Sequence, residues 1–500
     1  MVAKDFYTIV VAFVASRAIY GFLGVTYDAS PMDSFLQFID PVLLKNAFWQ
    51  SLYYYHAGPP MLNLVAGFGL GVFEANAYWF YAILFHVLGL CLVFSVFFIT
   101  NRLCGSRPSA WVATLLICFS PSFVLYENWL MYTFIASSLL ICSAALLIKY
   151  LDSDRFIWGF LFFVCIAMLS LTRTFFLFYW LVLVLLILVI VRWQSRKQIL
   201  VCAFVPLLVC FCWNAKNFYL FNTFSSSSIT GLSLNNVTTL TVPWDVLRGH
   251  VEKGELSRFA LVSRYGPLHK AIERETLAEF VGVPVLDNAT NSNGQLNFNS
   301  LEMLVASNHY LKDSLQVLKM YPRNYMSAVL TSHMVYLSPA SLNPYFSVAN
   351  LQALQSTNRF LDRLLYGTSL NSVRVEQPHF GYNQRYSIEV KPGVVLAFFS
   401  GIIFLYGSWR CLLIVFTRDW RTHSIVFGYL FGTWLLVYLA GVYFELSENN
   451  RYRFVAEPVF WIIVVLMVNH LWRSRSGRPV SLSDDTAAVR RGEVTQDMFQ

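Results

Sequence analysis

Charge is what this chain has least of. Only 13% of its 500 residues are Asp, Glu, Lys or Arg, about half the share of a soluble domain. Apolar residues make up 57% and aromatic residues 17%, so lipid rather than water must solvate most of the chain. Cysteine is missing from the whole stretch between Cys212 and Cys411, and the nine cysteines sit mainly inside apolar runs. No disulfide framework and no metal site is expected from them. A small-residue cleavage site is lacking after the first apolar run, and only Lys4 precedes that run as a positive charge. It reads as a retained span and not as a removed signal peptide. Internal repeats and low-complexity arrays are also missing. The formal charge of +8 would suggest nucleic acid in a soluble protein. Here the positives stand in short loops beside apolar runs, which is the pattern of membrane orientation, and no nucleic-acid partner is expected.

What is present is a series of apolar runs. A helix needs about 20 apolar residues to cross a bilayer, and ten runs come close: 6–26, 77–99, 109–126, 130–149, 156–172, 174–191, 199–214, 394–415, 424–443 and 455–472. The fifth and sixth are barely long enough and are joined through Thr172-Arg173-Thr174. They read either as one hairpin with a tight turn or as a bend within the membrane. With a cytoplasmic N-terminus, every cytoplasmic stretch carries positive charge: Lys4; Arg102 and Arg107; Lys149 and Arg155; Arg192, Arg196 and Lys197; Arg418 and Arg421; Arg473 and Arg475. That distribution obeys the positive-inside rule and puts both termini in the cytoplasm. The expected fold is an all-α polytopic membrane protein of about ten transmembrane helices.

Four parts follow. Residues 1–214 form an N-terminal transmembrane module with a first external loop at 27–76. Residues 215–393 form an external region of mixed polarity, long enough for a small domain. Residues 394–472 form a C-terminal three-helix part, and 473–500 a polar cytoplasmic tail. Within the first loop Phe35, Phe38, Ile39 and Leu43 recur at helical spacing, with Asp33 and Asp40 seven apart on another side. That pattern predicts a helix lying on the membrane, broken before Pro41, which suits the first turn of a second short helix.

The acidic and basic residues that could do chemistry gather on the external side, and charge next to a bilayer marks function. Asp33 and Asp40 are candidate general bases toward an acceptor hydroxyl or amine, although Asp before Pro is also a good helix N-cap. His56 in Tyr55-His56-Ala57-Gly58-Pro59-Pro60 is a proton carrier, a ligand or a satisfied polar contact. Glu127, in the short turn Tyr126–Tyr132, is either reactive or an interfacial acid in an aromatic belt. Among the cations, Arg173 lies in the outer turn of an apolar hairpin. Lys216 and Asn217 follow Trp213-Asn214, and Arg451 and Arg453 follow Glu448. Guanidinium forks suit phosphate, and snorkelling to headgroups is the alternative for Arg173. Arg17 interrupts the first span with no partner apparent in the sequence. Two Asn-x-Thr triplets, Asn236-Val-Thr238 and Asn288-Ala-Thr290, would be glycosylated on a lumenal face.

The acidic first loop with His56-Ala57-Gly58-Pro59-Pro60-Met61-Leu62-Asn63, Glu127 between spans three and four, and Leu171-Thr172-Arg173 come in that order. Trp213-Asn214-Ala215-Lys216-Asn217 then leads to a serine run and Gly231, and Arg451-Tyr452-Arg453 closes the series. Together they resemble the GT-C superfamily of integral membrane glycosyltransferases. The branch in question includes the dolichyl-phosphate-mannose protein mannosyltransferases and the bacterial aminoarabinose lipid A transferases. The resemblance covers about two-thirds of the chain, its membrane portion. It implies a polyprenyl-phosphate-linked sugar donor, an acceptor lipid, glycan or protein, and inverting transfer on the external face. Asp33 or Asp40, with Glu127, would be catalytic. Arg173, Lys216, Arg451 and Arg453 would hold the donor phosphate, with His56, Asn217 and Glu448 in support. No cofactor is required, and a divalent metal is optional, since no compact Asp-x-Asp pair stands in the external turns. Two rival readings are a lipid-linked saccharide flippase, which would need polar midplane residues, and an O-antigen-type ligase or polymerase with a diphosphate donor. A bacterial inner membrane is favoured over the endoplasmic reticulum.

Overall fold

The structure, a computed structural model, describes residues 3–262, 268, 282–367, 373–378, 385–390, 392–446 and 448–475. The tail expected at 473–500 lies outside the described residues from 476 onward. A first long helix, α1 (Ala3–Phe22), leads into a loop with four short helices: α2 (Pro31–Ser34), α3 (Pro41–Asn46), α4 (Phe48–Tyr53) and α5 (Met61–Phe68). The bundle continues with α6 (Ala77–Cys104), α7 (Arg107–Cys118), α8 (Pro121–Glu127) and α9 (Tyr132–Ser153). Next come α10 (Phe156–Ser170), α11 (Phe178–Val191) and α12 (Arg196–Phe221). The middle region holds α13 (Thr230–Val237), α14 (Trp244–Glu252), α15 (Pro284–Asp287), α16 (Leu301–Met320), α17 (Pro322–Tyr336), α18 (Val348–Ala353) and α19 (Gln355–Tyr366). An antiparallel pair, β1 (Val373–Pro378) and β2 (Arg385–Val390), follows, with Val373 opposite Val390. The chain ends in α20 (Val394–Thr417), α21 (Thr422–Tyr443), α22 (Asn449–Val455) and α23 (Glu457–Arg475).

The chain is an integral membrane protein. Among the described residues six helices are long and apolar enough to cross a bilayer, or eight if two bent pairs each make one span. One pair is α7 with α8, bent by 56°; the other is α22 with α23, bent by 63°. Every one of the ten expected runs is helical, but the count of ten spans is not reached by length. Helices α10 and α11 have only 15 and 14 residues, about 22 Å of rise against a hydrocarbon core of about 30 Å. The stretch between them, 171–177, is non-helical and holds Arg173. Bare apolar side chains on the outer faces, such as Val11, Val14, Ile187, Ile190, Phe204, Leu405 and Phe416, have no partner but lipid.

The two ends of the bundle differ. At one end Arg107 pairs with Asp5, Arg102 with Asp152 at 3.0 Å and Arg192 with Asp154 at 3.1 Å, while Arg473 donates to the Gly105 carbonyl at 2.9 Å. The Asp152-Ser153-Asp154 carboxylates are thus occupied by arginines at this end. At the other end the loops interlock. Asp28 forms a bridge with Trp129, and the Met61 amide donates to the Leu171 carbonyl at 2.9 Å. The Ser332 hydroxyl donates to the Glu445 carbonyl at 2.6 Å. Leu232, Phe259, Tyr310, Tyr336 and Phe346 belong to the same hydrophobic core as the spans, so the region after α12 is packed onto the bundle.

The first loop departs from the expected surface helix. Helix α2 stops at Ser34, and 35–40 is not helical. Phe38 and Ile39 turn inward and are buried. Asn63 explains why: its carbonyl oxygen accepts from the Ile39 amide at 2.8 Å and its amide donates to the Gln37 carbonyl at 2.9 Å. A side chain thereby satisfies backbone groups that a helix would have satisfied internally. The break before Pro41 is present, with Asp40 capping α3 through the Val42 amide at 2.9 Å.

Helix α13 lies so close to α16 that a methyl group on Gly231 would collide with the Ser307 carbonyl oxygen and the Leu311 amide. Gly231→Ala is therefore expected to destabilise the protein by about 1–3 kcal/mol, the usual cost of overpacking. Thermal unfolding in detergent checks this, and an unchanged midpoint would refute the contact.

Candidate active site

A cavity of about 1150 Å³ opens at the interlocked end. Its walls come from the first loop (Ser34 to Gln37, Tyr55 and Ala57 to Pro59), the turn 172–179, the serine run with α13, the end of α21, and α22. Two arginines enter it. Arg173 is only 3% exposed, placed by the turn that ends α10. Its guanidinium lies 4.4 Å above the Tyr132 ring and 4.0 Å above the Tyr452 ring. Its Nε and one terminal nitrogen have no hydrogen-bond partner, and among the described residues no carboxylate pairs with it. Arg451, equally buried, donates to the Tyr132 hydroxyl at 3.0 Å and pairs with Glu448 at 2.6 Å. Its Nε and other terminal nitrogen are also unpartnered. Tyr132 is thus clamped between two cations. Cation–π contact offsets part of the burial cost, but a buried guanidinium with free N–H groups still calls for an anion.

The other cations are spent elsewhere. Lys216 donates to the Tyr55 carbonyl at 2.7 Å and lies 3.8 Å over the Trp213 ring; it is not in the cavity wall, whereas Tyr55 is. Arg453 pairs with buried Glu457 at 3.2 Å and donates to the Ser338 carbonyl at 3.2 Å, also away from the wall. Asn217 donates to the Ser225 carbonyl at 2.7 Å and so shapes the serine run, which does line the cavity.

The acids divide in the same way. Asp40 is buried and engaged: besides capping α3 it accepts from the Ser292 amide at 2.6 Å and the Ser292 hydroxyl at 2.7 Å. Asp33 is exposed on α2, whose last residue, Ser34, lines the cavity; its amide donates to the Ser30 carbonyl, its carbonyl accepts from the Asn293 side-chain amide, and among the described residues its carboxylate has no partner. Glu127 is wholly buried, pairs with Arg17 and packs on Gly89, with His86 at 3.8 Å. The first-span arginine with no partner in the sequence finds it 110 residues along the chain. Neither residue reaches the cavity wall. Glu448 and Glu445 do, and Tyr452 donates to Glu445 at 3.2 Å.

His56 fastens the first loop to the serine run. Its Nδ1 lies 2.6 Å from the Ser228 hydroxyl, its carbonyl accepts from the Ser228 amide at 2.9 Å, and its ring packs on Phe221. Ser227 donates to the neighbouring Ala57 carbonyl at 2.7 Å. Burial, reinforced by the Lys216 charge, lowers the imidazole pKa from 6.5 to about 3, so this side chain is neutral and structural. Asn236 of the first Asn-x-Thr triplet lines the cavity and is 93% covered (7% exposed). Asn288 of the second is exposed. Sequence reading missed the two aromatic platforms, Tyr132 and Tyr452, because a tyrosine near a membrane edge carries no signal beyond an ordinary belt residue.

Two outcomes are expected. An unfolded chain protonates His56 near 6.5 and the folded chain does not, so the neutral ring contributes full stability above 6.5 that is lost as pH falls toward about 3. The unfolding midpoint in detergent should drop between about pH 7 and about pH 5, and His56→Asn should flatten that slope. Arg173→Gln should weaken binding of polyprenyl phosphate at least about tenfold, the worth of a charge-assisted hydrogen bond. Equal binding in a vesicle titration would remove Arg173 from the anion site.

No protein-family model matches the chain, and no curated protein matches it. Among solved structures, it is similar to the archaeal oligosaccharyltransferase AglB from Archaeoglobus fulgidus in complex with an inhibitory peptide and a dolichol-phosphate. The TM-score is 0.37 and the identity 12%, over 95% of this chain and 52% of that one. The apo form of the Archaeoglobus fulgidus oligosaccharyltransferase gives a TM-score of 0.38 and 11% identity, over 94% and 52%. The chain therefore spans about half the length of those proteins. ArnT from Cupriavidus metallidurans, in the apo state, gives a TM-score of 0.31 and 11% identity, over 90% of this chain and 77% of that one.

Proposed function

We propose that this protein is a membrane glycosyltransferase that moves a sugar from a polyprenyl-phosphate donor to an acceptor on a lipid, glycan or protein. The observation that carries the reading is the pair of buried guanidiniums with free N–H groups, Arg173 and Arg451, in a cavity whose wall continues into span residues. Leu177 and Phe178 of the α11 side and Leu436, Leu439 and Ala440 of α21 give that wall an apolar flank. A lipid-linked phosphate matches both halves: its charge meets the arginines and its tail leaves between the spans. Glu448 already pairs with Arg451, so the guanidinium with no carboxylate in contact among the described residues is that of Arg173. One such cation suits a phosphodiester of single charge better than a diphosphate.

In the proposed step the acceptor oxygen or nitrogen attacks the anomeric carbon from the face opposite the phosphate, with inversion. The anomeric C–O bond breaks, its electron pair goes to the phosphate oxygen, and polyprenyl phosphate leaves. Arg173 and Arg451 stabilise the charge that grows on that oxygen. The acceptor proton passes to Asp33, whose carboxylate has no partner among the described residues and whose helix borders the cavity. Asp40 keeps its capping role, Glu127 with Arg17 positions the turn that carries Tyr132, and the balance of the step calls for no cofactor. The positive charges at the opposite end support a cytoplasmic location for both termini, which puts the cavity on the external face.

Transfer from a labelled polyprenyl-phosphate sugar in membranes tests the mechanism. Asp33→Asn should lower the rate by about 10²–10⁴-fold, the usual worth of a general base, with donor binding retained. Full activity in both Asp33→Asn and Asp40→Asn would end it.

A further inference from the structure

We infer that α19 lies in the lipid leaflet at the cavity end of the bundle, with Phe360 and Leu364 inserted among the acyl chains; this contact is independent of the sugar-transfer chemistry. The helix is bound to the protein along one side, where Leu354, its cap residue, and Asn358 are buried. Phe360 and Leu364 stand four residues apart, so they share a face, and they are 67% and 65% exposed. Gln355 is exposed as well, and it projects about 160° away from the midpoint of the Phe360–Leu364 edge at the pitch of an α-helix. One long edge of α19 is thus apolar and bare, and the opposite one is polar.

The neighbouring helix identifies what covers the bare edge. Helices α19 and α20 are in contact, and Gly367, directly after α19, sits so close that an added methyl would come within 2.9 Å of the Val395 side chain. Helix α20 is long and apolar enough to be a span, and its Phe398, Leu405 and Leu412 make an exposed stripe that only lipid can cover. Its 24 residues rise about 36 Å, against about 30 Å of hydrocarbon. With the charged Arg418–Arg421 turn at its far end among headgroups, Val394 and Val395 reach the headgroup layer on the cavity side. That layer is the depth at which an amphipathic helix lies. The apolar edge of α19 is therefore continuous with surface already in lipid, and exposed Arg363 can extend to the phosphates. The anchor also reaches the site. Asn350, on α18 just before α19, accepts from the Thr26 amide at 3.0 Å and donates to the Thr26 carbonyl at 2.9 Å. Thr26 opens into the loop whose residues Ser34 to Gln37 line the cavity.

Photolabelling of the full-length, unaltered protein tests this. The protein is placed in vesicles of phosphatidylcholine whose acyl chains carry a diazirine, irradiated, and mapped for lipid adducts by mass spectrometry. Phe398 of α20 is the lipid-facing reference. Phe360 and Leu364 should be labelled comparably to Phe398, and Gln355 at least about tenfold less, as the two edges of a helix lying in the interface require. Adducts on Phe398 with none on Phe360 or Leu364 overturn the inference, and so does labelling of Gln355 equal to theirs. Loss of the α19 adducts together with photo-cross-linked dimers would instead assign the edge to a second copy of this chain, which also overturns it.

Discussion

A guanidinium removed from water has to meet negative charge or aromatic surface, and the end of this bundle is organised around two that meet too little of either. Arg173 has ring faces but no carboxylate among the described residues, and Arg451 has one carboxylate and spare N–H groups. Placing them so costs folding free energy that nearby packing must offset. The offset is visible in the loops, where the Asn63, Ser227 and Ser332 side chains tie one backbone segment to another. An anion arriving in the cavity would complete both arginines at once.

The same economy of charge separates residues that shape the site from residues that border it. Asp40, His56, Lys216, Asn217 and Arg453 are all bound to protein partners, and the partners are segments of the cavity wall or its supports. They hold the first loop against the serine run and α22 against the middle region. Glu127 with Arg17 does the same for α1, α6 and α8. A buried pair of this kind contributes specificity of arrangement more than net stability, since desolvation consumes most of the Coulomb gain.

Much of the plan was legible in the chain. Apolar run length located each helix of the bundle, because a bilayer imposes one length on everything that crosses it. The Asp40-Pro41 helix start was legible because capping is local chemistry. The helix expected ahead of the break at Pro41 was not formed over 35–40, since Asn63, more than twenty residues away, supplies the backbone of 37–39 with partners. The hairpin of β1 and β2 went unread, although Val373 and Val375, then Tyr386, Ile388 and Val390, alternate with polar residues. Tyr132 and Tyr452 were hidden because their significance is a matter of what they face.

By itself, then, the sequence determined that this is a bundle of membrane helices and which turns collect its ionisable residues, for periodicity and hydropathy act over neighbouring residues. Only the tertiary structure decided which of those residues are consumed by one another and which stand free over a cavity. Pairing in a medium of low dielectric is a contest among groups brought together from distant parts of the chain. Arg17 finds Glu127, Asp40 finds Ser292, and Arg173 is left, among the described residues, with aromatic rings and no carboxylate.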